Sequence, residues 1–103
     1  MNIIEKNIGS LITLCKQHKV RELYLFGSIL TTEFNKDSDI DMLVQFDNVD
    51  ILKYTDNYFD FKEKLEKILG REIDLLENQA VRNPIFRKIL DRDKKIVYDR
   101  ETA

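Results

Sequence analysis

Three short apolar runs constrain this chain most: ELYLF (Glu22–Phe26), DIDMLVQF (Asp39–Phe46) and EIDLL (Glu72–Leu76). Each has strand length, and in the second Ile40, Met42, Val44 and Phe46 fall on one face. The segments around them carry apolar residues at helical spacing instead. Ile4, Ile8, Leu11, Ile12 and Cys15 predict an amphipathic helix over roughly residues 2–18. Tyr58, Phe61, Leu65, Ile68 and Leu69 predict a long helix closed by Gly70 as its C-cap glycine. A short helix begins after Gly27-Ser28, and NKDS at 35–38 reads as a turn. Asn83-Pro84 is a helix start, with Asn as N-cap and Pro in the first turn, and Lys95–Tyr98 (KIVY) is a last short strand. A chain of 103 residues has room for one core. The expected fold class is α/β (α+β), a small mixed β-sheet flanked by helices, in one domain over residues 1–103.

Composition narrows the function. Hydrophobic residues make up 43% and charged ones 35%, so the chain can bury a core and keep a solvated surface. No stretch approaches the ~18–20 consecutive apolar residues of a membrane span, and the N-terminus lacks a basic segment followed by an unbroken apolar one. A single cysteine, Cys15, cannot form an internal disulfide, which leaves the reducing cytoplasm as the expected location. Charge is unevenly placed. Residues 1–81 hold 10 Lys and Arg against 15 Asp and Glu, whereas residues 82–103 hold 7 against 4.

The chemistry lies in the acidic residues of the strands. Asp39 and Asp41 are two apart, so in a strand they project together. Two carboxylates ~5 Å apart repel by about 3 kcal/mol at an effective dielectric near 20. Asp is also disfavoured in strands. A divalent, oxygen-loving cation is the usual compensation. Asp74 lies opposite Ile73 and Leu75, just as Asp39 and Asp41 lie opposite Ile40 and Met42. If the two strands are neighbours, three carboxylates converge on one side of the sheet and could hold one or two Mg²⁺ ions.

Gly27-Ser28 supplies a complementary phosphate site. Glycine allows close approach to the backbone, and a serine at a strand-to-helix junction offers its hydroxyl and neighbouring N–H groups, aided by the helix dipole. Amides would hold a polyphosphate while metals polarise the attacked phosphorus. Solvated surface is the ordinary explanation of an isolated Asp-any-Asp pair. The full pattern of Gly-Ser, ten residues and Asp-any-Asp arises in roughly one shuffled sequence of this composition in a thousand.

The segment LYLFGSILTTEFNKDSDIDMLVQF, followed by GREIDLLE, resembles the minimal nucleotidyltransferases of the DNA polymerase β superfamily. The likeness spans about residues 8–98. It implies a polymerase β-like nucleotidyltransferase fold, ATP as substrate and Mg²⁺ as cofactor. It further implies that Gly27 and Ser28 bind the triphosphate, that Asp39 and Asp41 ligate both metals, and that Asp74 completes the catalytic metal site and helps deprotonate the acceptor hydroxyl. Such proteins are commonly antitoxins whose partner is a HEPN-domain ribonuclease toxin, and members adenylylate a tyrosine of that toxin. One departure stands out. Many members read Gly-Ser-any-Ala-Arg-Gly, but here Ile29, Leu30, Thr31 and Thr32 follow Gly27-Ser28, so Thr31 replaces the arginine. The hydroxyls of Thr31 and Thr32, or Lys36, are the groups available to stand in.

Other candidates have plainer explanations. His18 closes the first helix, where a partly charged imidazole suits the dipole, and Cys15 lies on the apolar helical face. Tyr54, Tyr58, Phe59 and Phe61 could stack bases, but helical spacing assigns Tyr58 and Phe61 to packing. The basic set Arg82, Arg87, Lys88, Arg92, Lys94 and Lys95 is interleaved with Asp91 and Asp93, as on a solvated helix. Direct nucleic-acid binding is not expected.

Three functions compete. The first is Mg²⁺-dependent transfer of a nucleotidyl group from an NTP to a protein hydroxyl. The second is a degenerate binding module that neutralises a toxin by complex formation, which the Thr31 departure favours and the three retained carboxylates oppose. The third, modification of an antibiotic, needs a larger acceptor domain or a tight homo-oligomer.

Overall fold

The structure, a computed structural model, describes residues 2–102. Helices α1 (Asn2–Lys6) and α2 (Ile8–Gln17) lead into strand β1 (Val20–Phe26). A single 3-10 turn, Gly27–Leu30, and a loop separate β1 from β2 (Ile40–Phe46). Helix α3 (Ile51–Leu69) crosses back to β3 (Ile73–Glu77), and a 3-10 turn at Asn78–Ala80 precedes α4 (Pro84–Asp93) and β4 (Lys95–Asp99). The sheet order is β3-β2-β1-β4. Strands β2 and β3 are parallel, while β1 is antiparallel to both β2 and β4. The mixed sheet follows from chain reach: parallel neighbours need a long crossover, which α3 supplies.

Where the sequence predicts one helix over 2–18, the structure has two. Asn7 interrupts the ladder, its Nδ2 donating to Ile3 O at 2.8 Å and its backbone N–H to Ile4 O at 3.1 Å. A short polar side chain that bonds the preceding turn offers the backbone an alternative to helix. Other boundaries follow their signals. Asn83 accepts N–H bonds from Ile85 and Phe86 with Pro84 at the start of α4, and Gly70 closes α3 at φ +64°. Asp50 caps α3 by accepting from Leu52 N–H.

The two faces of the sheet differ. Leu23, Leu25, Ile40, Met42, Val44, Ile73 and Leu75 are buried against Leu11, Leu14 and Cys15 of α2 and Phe61, Leu65 and Leu69 of α3. Burial pushes the Cys15 thiol up to about 12, so it behaves as a small apolar residue. The opposite face carries Tyr24, Phe26, Asp41 and Asp74. Helix α4 and the residues flanking it cover part of it, through Leu90, the Phe26–Phe86 ring contact at 6.3 Å, Lys94 lying 4.4 Å over the Tyr24 ring and Asn78 donating to Gln45. Among the described residues no helix is long and apolar enough to cross a membrane.

Candidate active site

The thinly covered face holds the acidic residues at one end, where β1 finishes and β2 and β3 begin. Register sets Phe26 of β1 opposite Asp41 of β2, and Asp41 opposite Asp74 of β3. Facing residues of paired strands point to the same side, so the Asp41 and Asp74 carboxyls meet. Asp39, just before β2, is exposed.

Their proximity has an electrostatic signature. Partial burial first, then the charges of Asp74 and Asp39, hold the Asp41 carboxyl above its ordinary value, and Asp74 lies within hydrogen-bonding reach of it. Two carboxyls that share a site cannot both ionise freely. Gly27 adds a third side to this contact. Its φ is +76°, and a Cβ built there would stand 2.2 Å from Asp41 Oδ2 and 3.3 Å from Asp41 Cβ. Only glycine fits between the end of β1 and the carboxylate.

The Gly27–Leu30 segment is one four-residue 3-10 turn without a side-chain cap. The helix-dipole contribution expected at Gly27-Ser28 is therefore small, and what the turn offers is its leading N–H groups and the Ser28 hydroxyl. The Thr31 hydroxyl is already used. It donates to Ser28 O at 2.8 Å and accepts from Glu33 N–H at 3.2 Å, fastening the turn at an exposed position. Thr32 and Lys36 are exposed.

Arg71 is a residue that sequence reasoning missed. The loop before Asp39 is closed locally by Asp37 N–H to Asn35 Oδ1 and by Ser38 N–H to Asn35 O, which is the expected 35–38 turn. Arg71 then reaches across from the start of β3. Its Nη1 donates to Asn35 O at 2.7 Å and Ser38 O at 2.9 Å, and its guanidinium lies 4.5 Å over the Phe34 ring. One side chain thus ties the strand bearing Asp74 to the loop bearing Asp39.

The donor set suits a hard divalent cation. Asp39, Asp41 and Asp74 offer only carboxylate oxygens, and the pressed Asp41–Asp74 pair is negative charge that a cation would relieve. Among the described residues, no three His, Cys, Asp or Glu side chains are already gathered around one point. The fold joins Asp41 to Asp74 and leaves Asp39 beside that pair.

The remaining candidates have structural roles. His18 is buried between α2 and α3, with Nδ1 2.9 Å from Leu14 O and Nε2 2.6 Å from Asp60 Oδ2. Tyr58 donates its hydroxyl to Leu75 O, Tyr54 donates to Glu77, Phe61 is fully buried, and Phe59 is exposed. Arg87 is held by Asn78 and Asp91, Arg92 by Asp93, and Lys94 by Asp91. Three of the six basic residues, Arg87, Arg92 and Lys94, are thus paired with neighbouring carboxylates.

Residues 10–103 match the family model described as Polymerase beta, Nucleotidyltransferase. The Methanocaldococcus jannaschii protein named "Putative protein adenylyltransferase MJ1379" is 36% identical over 77 residues, 75% of this chain and 76% of that one. Protein adenylyltransferase MntA of Thermococcus cleftensis is 33% identical over 79 residues, 77% of this chain and 74% of its own. A solved "putative minimal nucleotidyltransferase" superposes with a TM-score of 0.73 at 26% identity, covering 88% of this chain and 89% of that one. The fold is also shared, at a TM-score of 0.63 and 20% identity over 96% and 75% of the chains, with a structure of tri-AMPylated Shewanella oneidensis HEPN toxin in complex with MNT antitoxin. With nearly the whole chain matched and the sheet built as that fold requires, the chain belongs to the polymerase beta nucleotidyltransferase family.

Proposed function

We propose that this nucleotidyltransferase is an antitoxin that moves an adenylyl group from ATP to a hydroxyl of a HEPN-domain toxin. The observation that carries this reading is the register that sets Asp41 against Asp74 beside the Gly27 turn. The N–H groups of the turn and the Ser28 hydroxyl hold the triphosphate. Asp39, Asp41 and Asp74 would hold Mg²⁺, which when bound supplies charge neutralisation and polarisation at phosphorus. Asp74, on the outer strand, accepts the proton of the incoming hydroxyl. The acceptor oxygen then bonds to the α-phosphorus, the bond from that phosphorus to the bridging oxygen breaks, and pyrophosphate leaves.

A cytoplasmic setting, where ATP and Mg²⁺ are abundant, accords with this chemistry. The binding-only reading draws on Thr31, whose hydroxyl replaces a cationic side chain and is occupied within the turn. One experiment separates the two. Incubation with ATP, Mg²⁺ and a HEPN-domain toxin is expected to raise the toxin's mass by whole adenylyl units. Asp74→Asn is expected to stop the change while the complex still forms, because it removes an interaction made with the reacting oxygen. Unmodified toxin silenced equally by wild type and Asp74→Asn would overturn transfer in favour of binding.

A further inference from the structure

Beside the phosphate-binding turn lies a cleft of about 400 Å³, walled by Phe26, Gly27, Leu30, Phe86, Ile89 and Leu90, with Thr31, Asp93 and Lys95 also along its lining. Resting on the nucleotidyl-transfer reading above, we infer that this cleft receives the nucleobase of the donor nucleotide, a purine stacked against Phe86. Its volume is in the range of small-ligand sites, roughly 300–1,000 Å³. Gly27 belongs both to the turn that would hold the phosphates and to the cleft wall, so one nucleotide can reach both.

The chemistry of the walls decides which part enters. They are mainly aliphatic and aromatic, which excludes the phosphates and suits the flat, apolar part of a nucleotide. Phe26 and Phe86 meet edge to face at 69°, while Phe86 and Ile89 are left 39% and 45% exposed. A base lying on these side chains would cover that apolar surface, and aromatic side chains bind bases by their π-faces. The larger purine covers more of it than a pyrimidine. Phe86 and Ile89 both project from α4, so in a chain this small the closing helix supplies the base site.

The test compares Mg²⁺·ATP, Mg²⁺·CTP and inorganic tripolyphosphate by calorimetry against wild type, Phe86→Ala, Phe86→Tyr and Ile89→Ala. Phe86→Ala should weaken ATP roughly 5- to 150-fold, the span of a lost base–aromatic stack. It should narrow the preference for ATP over CTP and leave tripolyphosphate affinity unchanged. Phe86→Tyr, which keeps the ring, should restore ATP affinity. Ile89→Ala, at a more exposed position, should weaken ATP without tripolyphosphate and serves if Phe86→Ala melts early. Equal losses for ATP and tripolyphosphate, or no loss for either, would overturn the base site. So would unchanged ATP affinity with a broken toxin complex, which would make the cleft a protein-docking face. If wild type binds neither ATP nor tripolyphosphate, the nucleotidyl-transfer reading falls as well.

Discussion

Gly27→Ala is the substitution whose cost can be worked most directly from the structure. At φ +76° an L-residue pays ~1–2 kcal/mol for the left-handed conformation. The new methyl would also stand 2.2 Å from Asp41 Oδ2, so the carboxylate must rotate off its position, at about 1 kcal/mol more. Because the Asp41 Cβ at 3.3 Å cannot swing away, some strain stays in the strand pairing. The total, roughly 2–3 kcal/mol, corresponds to a fall in Tm of roughly 10–20 °C for a domain of this size. Gly70→Ala is the internal control. Its φ is +64°, yet nothing lies within 4 Å of an added Cβ, so it pays the backbone cost alone. Thermal melts of both variants give the contact with Asp41 by difference. Adenylyl transfer should fall at least about a hundredfold in Gly27→Ala, the scale of a misplaced reacting group, and stay near wild type in Gly70→Ala. Equal Tm losses together with equal transfer rates would refute the reasoning, because Asp41 would then not depend on the missing Cβ.

Two further outcomes are expected. Without divalent metal, Asp41→Asn should melt a few degrees higher than wild type. The Asp41 carboxyl titrates above its ordinary value, so the wild-type deficit is absent below the ordinary carboxylate range, grows as pH rises, and levels off above the raised value; melts across that range should show a gap that opens with pH, and a constant gap would contradict the pairing. Arg71→Ala should cost only about 1 kcal/mol in global stability, since its bonds hold an exposed loop. It should speed proteolysis within residues 34–38 and slow transfer more than it weakens ATP binding, with partial rescue by Arg71→Lys, and unchanged proteolysis would remove Arg71 from the role.

The sequence was most legible where a single residue carries its own physics. Asn83-Pro84 and Gly70 mark helix ends because capping and a left-handed φ are local demands. The alternation around Asp74 was readable for the same reason: a buried Ile73 and Leu75 place their neighbour on the other face. Features that depend on distant partners were silent. Nothing near Arg71 announces that its partners are Asn35 and Ser38, and nothing near His18 announces Asp60. Helix α3 begins at Ile51, before its apolar period becomes visible, because Ile51 and Leu52 are exposed and the N-terminal signal is the side chain of Asp50. The hydrogen bonds of the Thr31 hydroxyl to Ser28 O and Glu33 N–H are equally silent, because a free hydroxyl and one bonded to the backbone look alike in sequence.

The parallel pairing of β2 with β3 also ties chemistry to strand register. Asp41 and Asp74 meet across a connection that contains the nineteen-residue α3, a closure across long sequence separation that comes at an entropic cost. A slip of one residue would turn Asp74 toward the core and expose Ile73 and Leu75. A half-folded or misregistered copy therefore has no weakened version of the site; it has none. The contact between Asp41 and Asp74 therefore exists only where β2 and β3 are paired in this register.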